Sequence, residues 1–363
     1  MGLWVLTLVG VFTPITRMDA VSWHAHAFLF GYLGAIIAGF LLTAVPNWTG
    51  RLPVVGWQLG GLVALWLAGR LAILISLYLP TGVAAGIDLA FPIVLGAVLL
   101  REILVGKNWS NLVVLALLAL FTFANLLFHF DVVNGEVAAK GLGLRLGLAA
   151  AIGMIAFIGG RIVPSFTRNW LVKRGGTTPP APPMQRFDKL TLLITAAFLV
   201  LWVLRPDSLP SGIAMILFAV LHTVRLVRWK GYLTGAEPLV WILHVAYAML
   251  PLGAAAIGLA NLRPDLMGQA AAQHLWMVGA LGLMTLAVMT RATLGHTGQA
   301  LHADGSTVAI YSAMIGSMVV RLFADALPAN LGYEISASLW IAAFLGFAVI
   351  YGRLLTRRKE RVE

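Results

Sequence analysis

Apolar residues gather in long runs along this chain, parted by short clusters of proline, glycine, asparagine and basic residues. Runs of about 20 apolar residues are long enough to cross a bilayer as helices. The pattern predicts an all-α chain of twelve helices, near 2 to 16, 24 to 46, 54 to 79, 83 to 105, 109 to 130, 141 to 163, 188 to 205, 209 to 228, 236 to 259, 267 to 290, 306 to 326 and 332 to 354. The first is short for a full span. It has no basic flank before its apolar run and no small-residue cleavage site, so it reads as a clipped or tilted helix rather than a signal peptide.

The stretch from Trp23 to Arg51, WHAHAFLFGYLGAIIAGFLLTAVPNWTGR, is the most informative of these runs. Ser22 is placed to cap its first turn, Ala27 to Val45 carries no charge, and Pro46, Asn47, Thr49 and Gly50 end it before Arg51. His24 and His26 sit at its mouth. Ionisable side chains at membrane depth are costly and mark sites.

Composition narrows the class further. With 60% hydrophobic residues, 11% charged residues and a mean hydropathy of +0.91, the chain is a polytopic membrane protein rather than a soluble globule. It has no cysteine, which excludes disulfides, thiolate zinc sites and iron–sulfur clusters and makes its eight histidines the leading protein ligands for a transition metal. The net charge of +11 reads as topology, not as nucleic-acid binding. Counting spans alternately, one side takes Arg51, Arg101, Lys107, Arg161, Arg168, Lys173, Arg174, Arg186, Lys189, Arg225, Arg228, Lys230, Arg291, Arg353, Arg357, Arg358, Lys359 and Arg361. The other takes only Arg17, Lys140, Arg145, Arg205 and Arg263. That excess of 18 to 5 places both termini in the cytoplasm. Residues 1–363 then form a single transmembrane domain, with a basic, Pro-rich cytoplasmic linker over 161–189 between two six-helix halves.

An internal repeat is visible. Sliding residues 26 to 50 by 248 positions gives seven matches in 25, pairing His26 with His274, Gly31 with Gly279, Leu33 with Leu281, Gly34 with Gly282, Ala44 with Ala292, and Thr49-Gly50 with Thr297-Gly298. Helix six gives a fainter echo, with Arg161 at the position of Arg291 and Pro164 and Thr167 at those of Pro46 and Thr49. Helices two, six and ten are four apart, an arrangement compatible with three four-helix units as in haem–copper oxidase-like bundles.

Depth sorts the histidines into two groups. His24, His26, His129 and His274 fall toward the outer face, and His222, His244, His296 and His302 toward the inner one. Arg70 and Arg321 lie within spans in the outer half, near Asp88 and Asp325; Arg321 and Asp325 are spaced to pair with each other. Outer imidazoles on facing helices, His26 and His274 first, suit axial ligation of a b-type haem, with His24 and His129 nearby and Arg70 and Arg321 as propionate partners. His24 and His26 point about 200° apart on a regular helix and so serve different partners. The inner nitrogen donors suit copper, with zinc acceptable by the same criterion. A lone membrane histidine also has the plainer role of bonding a neighbouring helix. His302, in a loop, reads instead as an exposed polar surface residue.

WHAHAFLFGYLGAIIAGFLLTAVPNWTGR and HLWMVGALGLMTLAVMTRATLGHTGQAL resemble the two most recognisable segments of the NnrS family, and LWLAGR, ANLLFH and WILHVAY resemble further segments of it. The resemblance covers nearly the whole chain. It implies a bacterial inner-membrane protein of about twelve helices that binds haem and copper and is linked to nitric oxide metabolism or resistance. Ala27 stands where the family commonly reads glutamate, so a proton or metal role of that carboxylate is missing here. The first helix is also shorter than is usual in the family.

Three functions follow as expectations. The first is a haem and copper protein that binds nitric oxide or a related small molecule in a stress response. The second is a redox enzyme related to nitric oxide reductases and oxidases, against which stand the lack of an adjacent His-His pair and of an HPE-type motif. The third is a transporter of metal or haem, which interrupted mid-span helices would favour.

Overall fold

A computed structural model describes residues 1–356. The tail cations Arg357, Arg358, Lys359 and Arg361, counted above as inner charges, lie outside the described residues. The described chain is helical with no strand, in twelve helices: α1 (Gly2–Leu8), α2 (Ala20–Thr49), α3 (Trp57–Leu74), α4 (Val83–Val105), α5 (Trp109–Val133), α6 (Leu142–Lys173), α7 (Arg186–Leu204), α8 (Leu209–Val227), α9 (Pro238–Leu262), α10 (Gln269–His296), α11 (Gly305–Leu322) and α12 (Leu331–Thr356). All but α1, eleven in number, are long and apolar enough to cross a membrane, which makes this a polytopic membrane protein.

The two largest departures from the expected boundaries are the ends of α1 and α6. Helix α1 stops at Leu8, because Gly10 turns into the left-handed region (φ 76°) and Val11 N–H closes back on Leu6 O at 2.8 Å. Helix α6 continues past 163 to Lys173 although Pro164 lies inside it. The start of α2 is also set differently. Asp19, not Ser22, is the cap: its carboxylate accepts from Val21 N and Ser22 N at 3.0 and 2.9 Å. Ser22 is buried inside the first turn, and its hydroxyl accepts from Ala139 N.

Three helices widen into a π-helix part-way along. π-helical segments occupy Ala27–Leu33 in α2, Ile155–Gly159 in α6 and Leu275–Leu283 in α10. The segments in α2 and α10 begin at positions equivalent under the sequence repeat, and His26 and His274 are each the last α-helical residue before them. The far ends match as well. Thr49 and Thr297 turn their hydroxyls back to the carbonyls four residues earlier, at 2.9 and 2.7 Å, and Gly50 and Gly298 adopt φ of 69° and 72°. Helix α6 keeps the hydroxyl bond at Thr167 but neither the glycine turn nor the π register, so its likeness is partial.

The chain divides into two compact units, Leu6–Met154, and Met1–Val5 with Ile155 onward. The first is built around Leu29, Leu41, Leu95 and Phe128. The second is built around Trp202, Phe218, Tyr247 and Trp276, with α9 mostly buried. Large apolar side chains such as Leu67, Ile93, Phe123 and Leu126 stay exposed on the spanning helices, where hydrocarbon is the expected neighbour.

Candidate metal centre

In the first unit, four spanning helices bring polar side chains to one buried point. α2 supplies His26, α3 supplies Arg70, α4 supplies Asp88, and α5 supplies Asn125 and His129, which share a face because they are four residues apart. His26 is fully buried, and Asp88, Asn125 and His129 nearly so.

The π segment helps to set this geometry. The Gly31 carbonyl, inside that segment, accepts from the indole N–H of Trp66 at 2.9 Å as well as from the N–H of Gly34. Arg70, one turn beyond Trp66, crosses the same glycine: a Cβ on Gly31 would stand 2.7 Å from its Nη1. Gly69 lets α3 approach α4, since a Cβ there would lie 3.1 Å from the Asp88 Cα. Arg70 is thereby led onto Oδ1 of Asp88 in an ion pair.

The other carboxylate oxygen is shared. Oδ2 of Asp88 accepts from Asn125 Nδ2 at 2.7 Å and stands 3.0 Å from His129 Nε2 and 3.2 Å from His26 Nε2. His26 Nε2 also lies 3.1 Å from Asn125 Oδ1. Both of its neighbours are acceptors, so in the absence of a cation Nε2 carries the proton. The Nδ1 lone pair of His26 is then buried without a partner.

His26, Asp88 and His129 are the only group of three among the described residues whose donor atoms lie close enough to share an ion, all within 4.8 Å of one another. Two imidazole nitrogens and one carboxylate oxygen, each about 2.0–2.2 Å from a central cation, form a donor set that zinc, iron(II) and copper(II) accept. A porphyrin does not fit between these two imidazoles. The Asp88 oxygen occupies the space, and the ring centroids are 5.1 Å apart at 62°.

The remaining expected residues have separate settings. His24 is half-buried on α2 and outside the cluster, while His26 is fully buried, as their angular separation on the helix requires. His274 belongs to the second unit. Its Nδ1–H donates to Ala270 O at 2.6 Å, which leaves Nε2 as the bare nitrogen. Arg321 lies 4.8 Å over the ring of Tyr333, whose hydroxyl donates to Asp325, so the expected Arg321–Asp325 pair does not form. Nη1 of Arg321 is buried without a partner.

Each of the four inner histidines keeps its own company. His222 is buried between Thr195 Oγ1 (2.8 Å) and Tyr247 OH (2.9 Å), with Phe218 stacked on its ring. His244 meets Thr167 Oγ1 at 2.7 Å. His302, exposed, donates to Glu237 at 2.8 Å, and His296 is exposed at the end of α10.

Sequence reasoning missed two structures. Asn125 completes the first cluster but carried no signal beyond its family segment. Arg225, counted only as an inner-side charge near the end of its predicted helix, is fully buried in α8, where it pairs with Asp188 at 2.8 Å and donates to Tyr247 OH and Ala156 O. Arg161 and Arg291 likewise fall inside α6 and α10.

Residues 1–359 match the family described as NnrS protein. The chain belongs to the NnrS family. No curated protein and no solved structure matches it. Membership marks this NnrS chain as a membrane protein related to nitric oxide. Its two most recognisable family segments lie along α2 and α10, the helices whose π segments follow His26 and His274. Ala27, where the NnrS pattern commonly has glutamate, is the first residue of the α2 π segment, next to the buried histidine.

Proposed function

We propose that this NnrS protein resides in the bacterial inner membrane with both termini cytoplasmic, and binds copper and haem to take up nitric oxide in a stress response. The observation that carries the reading is the buried convergence of His26, Asp88 and His129 from three helices. These side chains would hold the copper ion, with Asn125 and Arg70 fixing the carboxylate between them. Bound there, copper supplies one-electron chemistry and an open position for a small ligand. What the chain does is exclude water and hold the carboxylate in place, with Asn125 on one oxygen of Asp88 and Arg70 on the other.

Haem is assigned to His274 rather than to His26. The Nδ1–H bond to Ala270 O orients the ring and leaves Nε2 as the ligating atom, and Arg321 Nη1 is available to a propionate.

Purification of the full chain with haem and copper supplied tests both halves. Copper analysis should show loss of the metal in His26→Ala and Asp88→Asn, and the Soret band should shift or vanish in His274→Ala. Unchanged copper in the first two variants rejects the copper site, and an unchanged spectrum in the third rejects the haem ligand. Nitric oxide loss measured with an electron donor, if it ran well beyond one equivalent per chain, would replace binding by catalysis.

A further inference from the structure

Two cavities touch the metal centre, and they differ in kind. One is narrow, about 10 Å³, with Phe30, Gly34, Trp66, Phe91 and Leu95 as walls and Asp88, Arg70 and Asn125 at its polar end. The other, about 30 Å³, lies among the helix ends at Arg17, Ser76, Gly82 and Val133 and reaches His129.

Their levels along the spans set what each can admit. Gly34, Trp66, Leu95 and Phe121 fall near the middle of α2, α3, α4 and α5, so the first cavity lies at bilayer mid-depth. Half-buried Trp66 and Pro92 leave it open to the protein surface at that depth, where the surrounding solvent is hydrocarbon. Ions are excluded there by their desolvation cost, and anything beyond a few atoms by size. Water has the other approach, among the helix ends.

We propose that the mid-depth cleft admits a small uncharged diatomic molecule, of the nitric oxide class, from the bilayer to the Asp88 face of the metal centre. The inference rests on the reading of that centre as the place where nitric oxide is bound. One residue makes the cleft directly testable. Gly34 lines it, and a Cβ added there meets no atom within 4 Å. A larger side chain therefore leaves the backbone with its Cβ free of contact and enters the passage from there, and leucine favours the helix that glycine weakens.

Xenon, an apolar atom that dissolves in hydrocarbon, is the probe. Crystals of the full-length protein pressurised with xenon should show an anomalous peak between Phe30, Gly34 and Phe91. The peak should be absent in Gly34→Leu and retained in Gly39→Leu, a lipid-exposed control on the same helix. In solution, nitric oxide association with the copper-loaded protein should slow about tenfold in Gly34→Leu, a barrier higher by about 1.4 kcal/mol, with copper content unchanged. No xenon peak in the wild type, or an association rate that Gly34→Leu leaves alone, overturns the proposal. Copper analysis of the same samples separates the two readings: xenon without copper rejects the metal centre alone, and copper without xenon rejects the cleft alone.

Discussion

Gly31 and Arg70 touch as a backbone and a side chain that leave no room for a methyl group: a Cβ on the glycine would stand 2.7 Å from the guanidinium Nη1. The contact matters because Arg70 is the counter-ion of Asp88, and Asp88 is the centre of the polar cluster. In Gly31→Ala the guanidinium end must shift, loosening its hold on the carboxylate. The expected result is a lower thermal midpoint in detergent, which a melting curve reads.

Removing the arginine is the harsher test. Arg70→Met leaves a buried carboxylate without its ion-pair partner, and breaking such a pair costs about 3–5 kcal/mol. The double variant Arg70→Met with Asp88→Asn removes both charges and should recover much of that loss. A double variant as unstable as the single one would show that charge compensation is not what Arg70 provides.

In the second unit, Tyr247 is the junction of a buried network, accepting from Arg225 and bonding His222 through one hydroxyl. Tyr247→Phe keeps the ring against Trp229 but strands a guanidinium N–H and an imidazole nitrogen. The cost should be about 1–3 kcal/mol, seen as a lower denaturation midpoint with copper content unchanged.

A pH-dependent contribution comes from Asp304, outside the spans. Its carboxylate accepts from the hydroxyl and the N–H of Thr307 at 2.7 and 2.8 Å, capping α11, and these bonds hold it below the usual carboxylate range. A depressed folded pKa means that its stabilisation is complete above the unfolded value near 4 and fades as pH falls through the folded one. Asp304→Ala should therefore cost about 1 kcal/mol at neutral pH and progressively less below about pH 4. Parallel pH–stability curves for the two proteins would count against the cap.

Much of this architecture is written in the chain because lipid imposes a simple rule. Continuous apolar runs have to become helices, and the spans over 83–105 and 209–227 fall within a residue of their predicted limits. The repeat joining His26 to His274 was legible as well, and it carries a shared π segment that no periodicity announces, since the run there is apolar on nearly every side. The site was legible only in part. His26, His129 and Arg70 stood out as polar groups at membrane depth, and Asp88 at the same level. Nothing in a single sequence says that Asn125 faces them, or that His26 turns Nε2 toward a carboxylate while His274 ties Nδ1 to its own helix. Arg225 was hidden for the opposite reason, because an arginine near the end of an apolar run reads as a topology charge until Asp188 is found beside it.

The most direct measurement is the copper(II) electron paramagnetic resonance spectrum of the full-length protein, with nitrogen couplings resolved. The account predicts one copper per chain coupled to two imidazole nitrogens, falling to one nitrogen in His129→Ala and losing the metal in Asp88→Asn. A wild-type spectrum with no imidazole coupling, or one that both variants leave intact, would contradict it.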